Sequence, residues 1–266
     1  MKTFEIPSEP IEPVSKEPKT MIIYSAPKVG KTTIVAGLKK HLIMEHEPNG
    51  AGAVKARYVQ LANPYEIGEF VEYIKSDPMV LEGVDFIIVD TITKWDEWSE
   101  VVGTHNFMAK PQGKKWNLVD KEQVWDHTHP MFETVHAMGE GYGYRYSREA
   151  MMKWYDKIVS TGKTIILLAH MKDKFIESSS GDVVETVEIN LTGKVKNAYS
   201  ARVDAIAHMK RVGNKAYLSF ESGGNVAAGS RYAYLKGQIL ISESDEDGNV
   251  VMHWDKIFPY TYGVKK

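Results

Sequence analysis

The chain has 266 residues, with 33 Lys and Arg against 35 Asp and Glu, and no cysteine. That composition describes a globular protein able to bury roughly 70–75% of its surface, and it excludes disulfides, thiol catalysis and cysteine-held zinc or iron–sulfur centres. No apolar run reaches the ~20 residues of a membrane span and the first residues lack a signal-peptide core, so the expectation is a cytoplasmic protein without membrane contact. The formal charge of −2 gives no long-range basic field for nucleic acid, so any such binding has to be local.

In chain order, residues 1–18 hold four prolines and four glutamates among few apolar side chains and read as an extended arm, either a solvated tail or a tether laying Phe4 and Ile6 on a neighbouring subunit. Residues 19–266 then read as one domain. Met21-Ile22-Ile23-Tyr24 is a short buried strand. A turn follows, and a helix from Lys31 whose face Ile34, Val35, Leu38 and Leu42 would form, ending before Pro48-Asn49-Gly50. A second strand fits 57–61, a second helix 66–75, and residues 84–90 form an apolar strand of the kind covered on both faces in a parallel sheet. Residues 101–145 read as an insertion. A helix is expected over 146–161, and a strand over 164–170. Thereafter the texture is β-rich, with a hairpin of 174–177 and 183–189, strands at 205–210, 215–221, 238–242 and 250–254, and a C-terminal hairpin region over 236–266. The alternation predicts an α/β fold with a mainly parallel central sheet, helices on both faces and a β-rich C-terminal part.

Ser25-Ala26-Pro27-Lys28-Val29-Gly30-Lys31-Thr32 matches the P-loop pattern at its last three positions and carries serine where the first glycine is expected. Between a buried strand and an amphipathic helix, residues 25–33, Thr33 included, would cradle phosphates with backbone N–H groups. Lys31 would reach the β- and γ-phosphates, and the Thr32 hydroxyl would meet Mg²⁺. Asp90, at the end of its strand, would be the second Mg²⁺ contact; as an alternative it is a helix N-cap. Thr91 follows it, so the water-activating base has to come from elsewhere. Glu66, beyond the second strand, is a candidate, or else an ordinary first-turn glutamate. His170 ends the fourth strand and would sense the γ-phosphate, unless it is a structural histidine.

The residues just quoted, together with Gly141-Tyr142-Gly143, residues 162–170, Leu191-Thr192-Gly193-Lys194 and Arg202-Val203-Asp204, resemble the RecA-like P-loop ATPases of phages, the "AAA domain" nucleotide-binding proteins that include the Sak-type single-strand annealing group. The resemblance runs over residues 19–240 and departs at Ser25 and at Asn63. It implies ATP and Mg²⁺ bound between subunits of a ring or filament, and action on single-stranded DNA in recombination or replication beside a single-strand-binding protein. It also implies basic fingers reaching a neighbour's nucleotide, for which Lys194 and Lys196 are the candidates. Lys110, Lys114, Lys115 and Trp116 form a mixture that suits a single strand, where cations track phosphates and rings stack on bases; a solvated loop with a buried Trp is the alternative. A second stretch, 193–215, has six basic residues against Asp204 alone. His127 and His129 invite a metal, but no further ligands at fixed spacing accompany them. Two rival functions remain: a P-loop kinase closing 101–145 as a lid, and a non-hydrolysing ATP-dependent assembly protein.

Overall fold

The computed structural model describes residues 6–48, 50–177, 183–223 and 226–265. Phe4 and the turn of the 174–189 hairpin lie outside them. Strand β1 (Thr20–Ser25) leads into the short helix α1 (Lys31–Ala36), followed by β2 (His41–Glu45), β3 (Tyr58–Gln60), α2 (Pro64–Ser76), β4 (Phe86–Asp90) and α3 (Ile92–Met108). The two-residue strands β5 (Leu118–Val119) and β6 (Glu122–Gln123) pair in the segment before α4 (Tyr144–Val159). After it come β7 (Thr164–Glu177), β8 (Val183–Ile189), α5 (Gly193–Arg202), β9 (Ala205–Val212), β10 (Lys215–Ser219), β11 (Gly229–Ser230), β12 (Gln238–Ser244) and β13 (Val250–Met252).

The sheet order is β13-β12-β10-β9-β1-β7-β4-β2-β3. From β9 to β3 every neighbouring pair is parallel, and the β-rich end from β10 to β13 is antiparallel. Period-two alternation sorts the side chains. Ile22, Tyr24, Ile87, Val89, Ile165 and Leu167 face the layer of α2, α3, α4 and α5. Met21, Ile23, Phe86, Ile88, Ile166 and Leu168 face α1 and the C-terminal segment around Trp254, Ile257 and Phe258. Helices therefore cover both faces, as the strand pattern predicts, but unequally.

Three expectations are corrected. The first helix stops at Ala36, and Leu42 belongs to β2, where it is buried and pairs with Ile87 of β4. Gly37 takes the cap, Lys40 turns the chain at φ 54°, and the consecutive apolar run Leu42-Ile43-Met44 fits a strand buried on both faces, which a helix could not present to one. Secondly, α3 extends unbroken to Met108, so the added segment begins only at Ala109; the helix buries Asp96, Ser99, Gly103 and Thr104 along with Trp95 and Phe107, and those small and polar residues blur its apolar period. Thirdly, Trp254 lies beyond the strand, in a 3-10 turn, with its indole N–H donating to the Ile34 carbonyl of α1 at 2.9 Å.

The 109–143 segment is pinned. A Cβ on Gly143 would stand 1.6 Å from the Val135 carbonyl oxygen, one on Gly113 2.0 Å from that of Phe107, and one on Gly103 2.8 Å from the Ser147 nitrogen. The first holds the segment's end against its own Val135, the second ties its start to the end of α3, and the third packs α3 against α4. The arm's end is tied too, since the buried Glu17 carboxylate accepts the N–H groups of Tyr260 (2.9 Å) and Thr261 (3.1 Å), while Ile6, Ile11 and Val14 stand exposed. Among the described residues no helix is long and apolar enough to cross a membrane.

Candidate functional site

Parallel register brings the functional residues to one edge. Ser25 pairs with His170, and Asp90 pairs with Leu168 on one side and Glu45 on the other, so β1, β7, β4 and β2 end together at their carboxyl ends. Strand β7 stands between the P-loop strand and the Asp90 strand and places His170 between them.

Ser25 keeps the extended backbone of β1, so the missing glycine is not needed there. Strain sits later, at Lys28 (φ 63°) and Gly30 (φ 101°). Only glycine fits position 30, because a Cβ would also meet Arg211 Nη2 at 3.0 Å, and Arg211 Nε donates to the Val29 carbonyl at 3.1 Å. Thr33 lies exposed in the first turn of α1.

Lys31 is buried within its own loop. Its ammonium donates to the carbonyls of Ala26 (3.1 Å) and Ser25 (3.4 Å) and to the Ser25 hydroxyl (3.3 Å). Burial lowers its pKa, opposed by the charges of Asp90 and Glu47. The Thr32 hydroxyl donates to Asp90 Oδ2 at 2.6 Å. Burial raises the Asp90 pKa, the Thr32 bond lowers it, and the neighbouring Glu47 and Glu45 raise it further. The Asp90–Thr91 peptide is cis. The N-cap of α3 is Thr91, whose hydroxyl accepts the Lys94 N–H at 3.3 Å, so the Asp90 carboxylate is left to the site.

His170 links the loop to a carboxylate absent from the sequence-based candidates. Its Nδ1 lies 3.5 Å from Lys31 Nζ and its Nε2 3.3 Å from Glu47 Oε1. Lysine only donates, so Nδ1 accepts and Nε2–H points at Glu47. The helix expected through residue 42 conceals Glu47; its signal is the strand 42–45 that it follows. His46, next to it, donates Nδ1–H to the Asp90 carbonyl (3.2 Å) and accepts Trp95 Nε1–H at Nε2 (2.8 Å). Buried in this way, it titrates at about 4 instead of its usual 6.5.

Three carboxylates against one lysine leave an excess of negative charge, and Glu45 Oε2 is buried with no hydrogen-bond partner among the described residues. Such a donor set fits a divalent cation. Among the described residues no three metal-ligating side chains converge, so the hydroxyl of Thr32 and the carboxylate of Asp90 would hold Mg²⁺ with phosphate oxygens and water completing its shell. His127 and His129 form no such group either.

The other predicted residues lie elsewhere. Glu66 caps α2: its oxygens accept the Ala62 N–H and the Asn63 side-chain amide, both at 2.6 Å, while Asn63 accepts the Tyr65 N–H at 3.0 Å. It sits beyond β3, at the far edge of the parallel strands. Lys196 pairs with Glu188, and Lys194 is exposed in the first turn of α5. Trp116 packs edge-on against Phe107 and donates to the Glu133 carbonyl at 2.9 Å, and Lys110 lies 4.7 Å above the Tyr146 ring; Lys114 and Lys115 are exposed. Half of the six basic residues of 193–215 are ion-paired, Lys196 with Glu188, Arg202 with Asp156 and Lys215 with Glu243, while Arg211 donates to the P-loop carbonyl of Val29.

A family model described as "AAA domain" matches residues 17–232. No curated protein matches the sequence at a meaningful level.

Proposed function

The chain belongs to that AAA-domain family, with a P-loop NTPase fold, and from this premise we propose that it hydrolyses Mg-ATP as a ring- or filament-forming homo-oligomer acting on single-stranded DNA. The observation that carries the nucleotide reading is the meeting of Lys31, Thr32, Asp90, His170 and Glu47 at one strand edge. With ATP bound, Lys31 exchanges the loop carbonyls for β- and γ-phosphate oxygens, losing no donor contact. Mg²⁺, where Thr32 and Asp90 hold it, supplies positive charge for the phosphates. Glu47 is the base: it accepts a proton from the water that attacks the γ-phosphorus, and the bond to ADP breaks as the new P–O bond forms. His170 orients Glu47 through Nε2–H and contacts Lys31 through Nδ1, so it registers whether the γ-phosphate is present.

The DNA and assembly parts of the proposal rest on the resemblance in the motif order, on the exposed apolar side chains of the arm, and on exposed Lys114, Lys115 and Lys194. They extend to phage recombination or replication, by annealing or strand exchange, in the host cytoplasm beside a single-strand-binding protein. The kinase alternative requires a hinged lid, and the glycine contacts pinning 109–143 give it no support.

The test pairs two variants. Lys31→Ala is expected to lose ATP binding, whereas Glu47→Gln keeps binding and loses turnover by roughly 10²–10⁴-fold. Equal turnover in Glu47→Gln and wild type, measured by phosphate release with single-stranded DNA present, would remove Glu47 as the base.

A further inference from the structure

Beyond the P-loop, a cavity of about 710 Å³ opens between α3, the start of α4 and the start of α5. Its size suits a nucleotide. At its wall is Asp96, 8% exposed, whose Oδ2 accepts the Thr192 N–H at 2.6 Å with the Thr192 side chain close by. Its Oδ1 is buried with no hydrogen-bond partner among the described residues. A buried carboxylate oxygen without a donor is costly, and an incoming N–H group would satisfy it. Around it stand Tyr142 and Tyr144, 69% and 45% exposed, and three cations, Arg145, Arg148 and Lys194. Arg145 already pairs with Glu149 at 3.3 Å; Arg148 and Lys194 have no ion pair among the described residues. Flat exposed rings, free cations and one buried acceptor are the groups that stack a base, hold its phosphate and read its edge.

We propose that this cavity binds one nucleotide unit of single-stranded nucleic acid, with Asp96 Oδ1 accepting the exocyclic amine of adenine or cytosine. The source of that unit rests on the single-strand reading above. Thymine fits less well, because carbonyl oxygens flank its N3–H on both sides and a carboxylate repels them. The cavity also communicates with the nucleotide site. Asp96 lies one turn beyond Thr93, whose hydroxyl accepts the His170 N–H at 3.0 Å, and its helix starts directly after Asp90 and Thr91. A base drawn onto Asp96 thus bears on the helix that is continuous with the Mg²⁺-binding strand.

The experiment measures binding of fluorescein-labelled dC20, dA20 and dT20, and of free dCMP, to the full chain with ATP, for wild type and Asp96→Asn; far-UV circular dichroism and a thermal melt establish that the variant is folded. Wild type is expected to prefer dC20 or dA20 over dT20 by about tenfold. In Asp96→Asn the amide oxygen keeps the Thr192 bond and the NH₂ faces the cavity, so the preference turns toward dT20, whose carbonyls accept it. Equal binding of all three oligonucleotides, unchanged in Asp96→Asn, would overturn the cavity assignment and leave the single-strand reading standing. If no oligonucleotide binds, the single-strand reading falls and dCMP decides the cavity: binding to wild type but not to Asp96→Asn upholds a nucleotide site, and no dCMP binding overturns it.

Discussion

Lowering the pH should loosen the junction behind the nucleotide site through one residue, His46. Its ring is fully committed in the neutral form, Nδ1–H to the Asp90 carbonyl and Nε2 to Trp95 Nε1–H, and protonating Nε2 sets two N–H donors against each other in a buried place. The folded state therefore titrates at about 4 and the unfolded chain at 6.5. Because the folded pKa is depressed, the unfolded state binds more protons between those values, and stability rises with pH across that window and falls as pH drops from 6.5 toward 4. Between pH 7 and pH 4.5 the loss comes to roughly 2–3 kcal/mol, a large share of the stability of a single domain. Asp90 and Asp96, whose pKa values burial raises, act with the opposite sign, so the total slope alone does not isolate His46. Urea unfolding of wild type and His46→Gln at pH 7 and 4.5, followed by tryptophan fluorescence to which Trp95 contributes, does isolate it. Glutamine offers a carbonyl to Trp95 and an amide N–H to Asp90 without titrating. The drop in unfolding free energy from pH 7 to 4.5 should be larger in wild type than in His46→Gln by that amount. Identical pH dependence in both proteins would refute a buried neutral His46.

Asp90→Asn removes a buried charge but keeps an acceptor for Thr32, so its melting temperature should equal or exceed that of wild type while Mg²⁺-dependent ATP affinity falls at least about tenfold, read by titration with and without EDTA. Gly143→Ala forces a methyl into the Val135 carbonyl and should cost more than about 4 kcal/mol or prevent folding; Gly139→Ala, with open space around it, should stay within about 0.5 kcal/mol, both checked by thermal melts. Trp254→Phe loses the bond to the Ile34 carbonyl and some packing behind α1, about 1–2 kcal/mol in urea unfolding, with weaker ATP binding because α1 has only six residues to hold the P-loop.

The phosphate loop, its strand and Asp90 could be read from local pattern, because each is specified within about ten residues: an apolar run, a turn needing a left-handed glycine, and a carboxylate at a strand end. The strands at 84–90 and 164–170 were legible for the same reason. Three helices were not, and α5 showed only as part of a basic stretch. In α1 the four-residue step from Leu38 to Leu42 imitates a helical period across a turn and into β2, and in α3 the buried face is built from Asp96, Ser99, Gly103 and Thr104, whose polarity hides the period. Charge counting failed for a related reason. The excess along 193–215 is a sum over neighbours in sequence, whereas ion pairs form with residues far along the chain, Asp156 and Glu243 among them.

By itself, then, the sequence determined the P-loop, the carboxylate that faces it and the α/β alternation, since those depend on backbone preference and short-range spacing. Only the tertiary structure decided that Glu47 and His170 stand beside Lys31, that Glu66 is a cap, and that Asp96 keeps an unmet acceptor in a cavity. These depend on which strands pair and in what register, and one misplaced strand, β2, was enough to conceal Glu47.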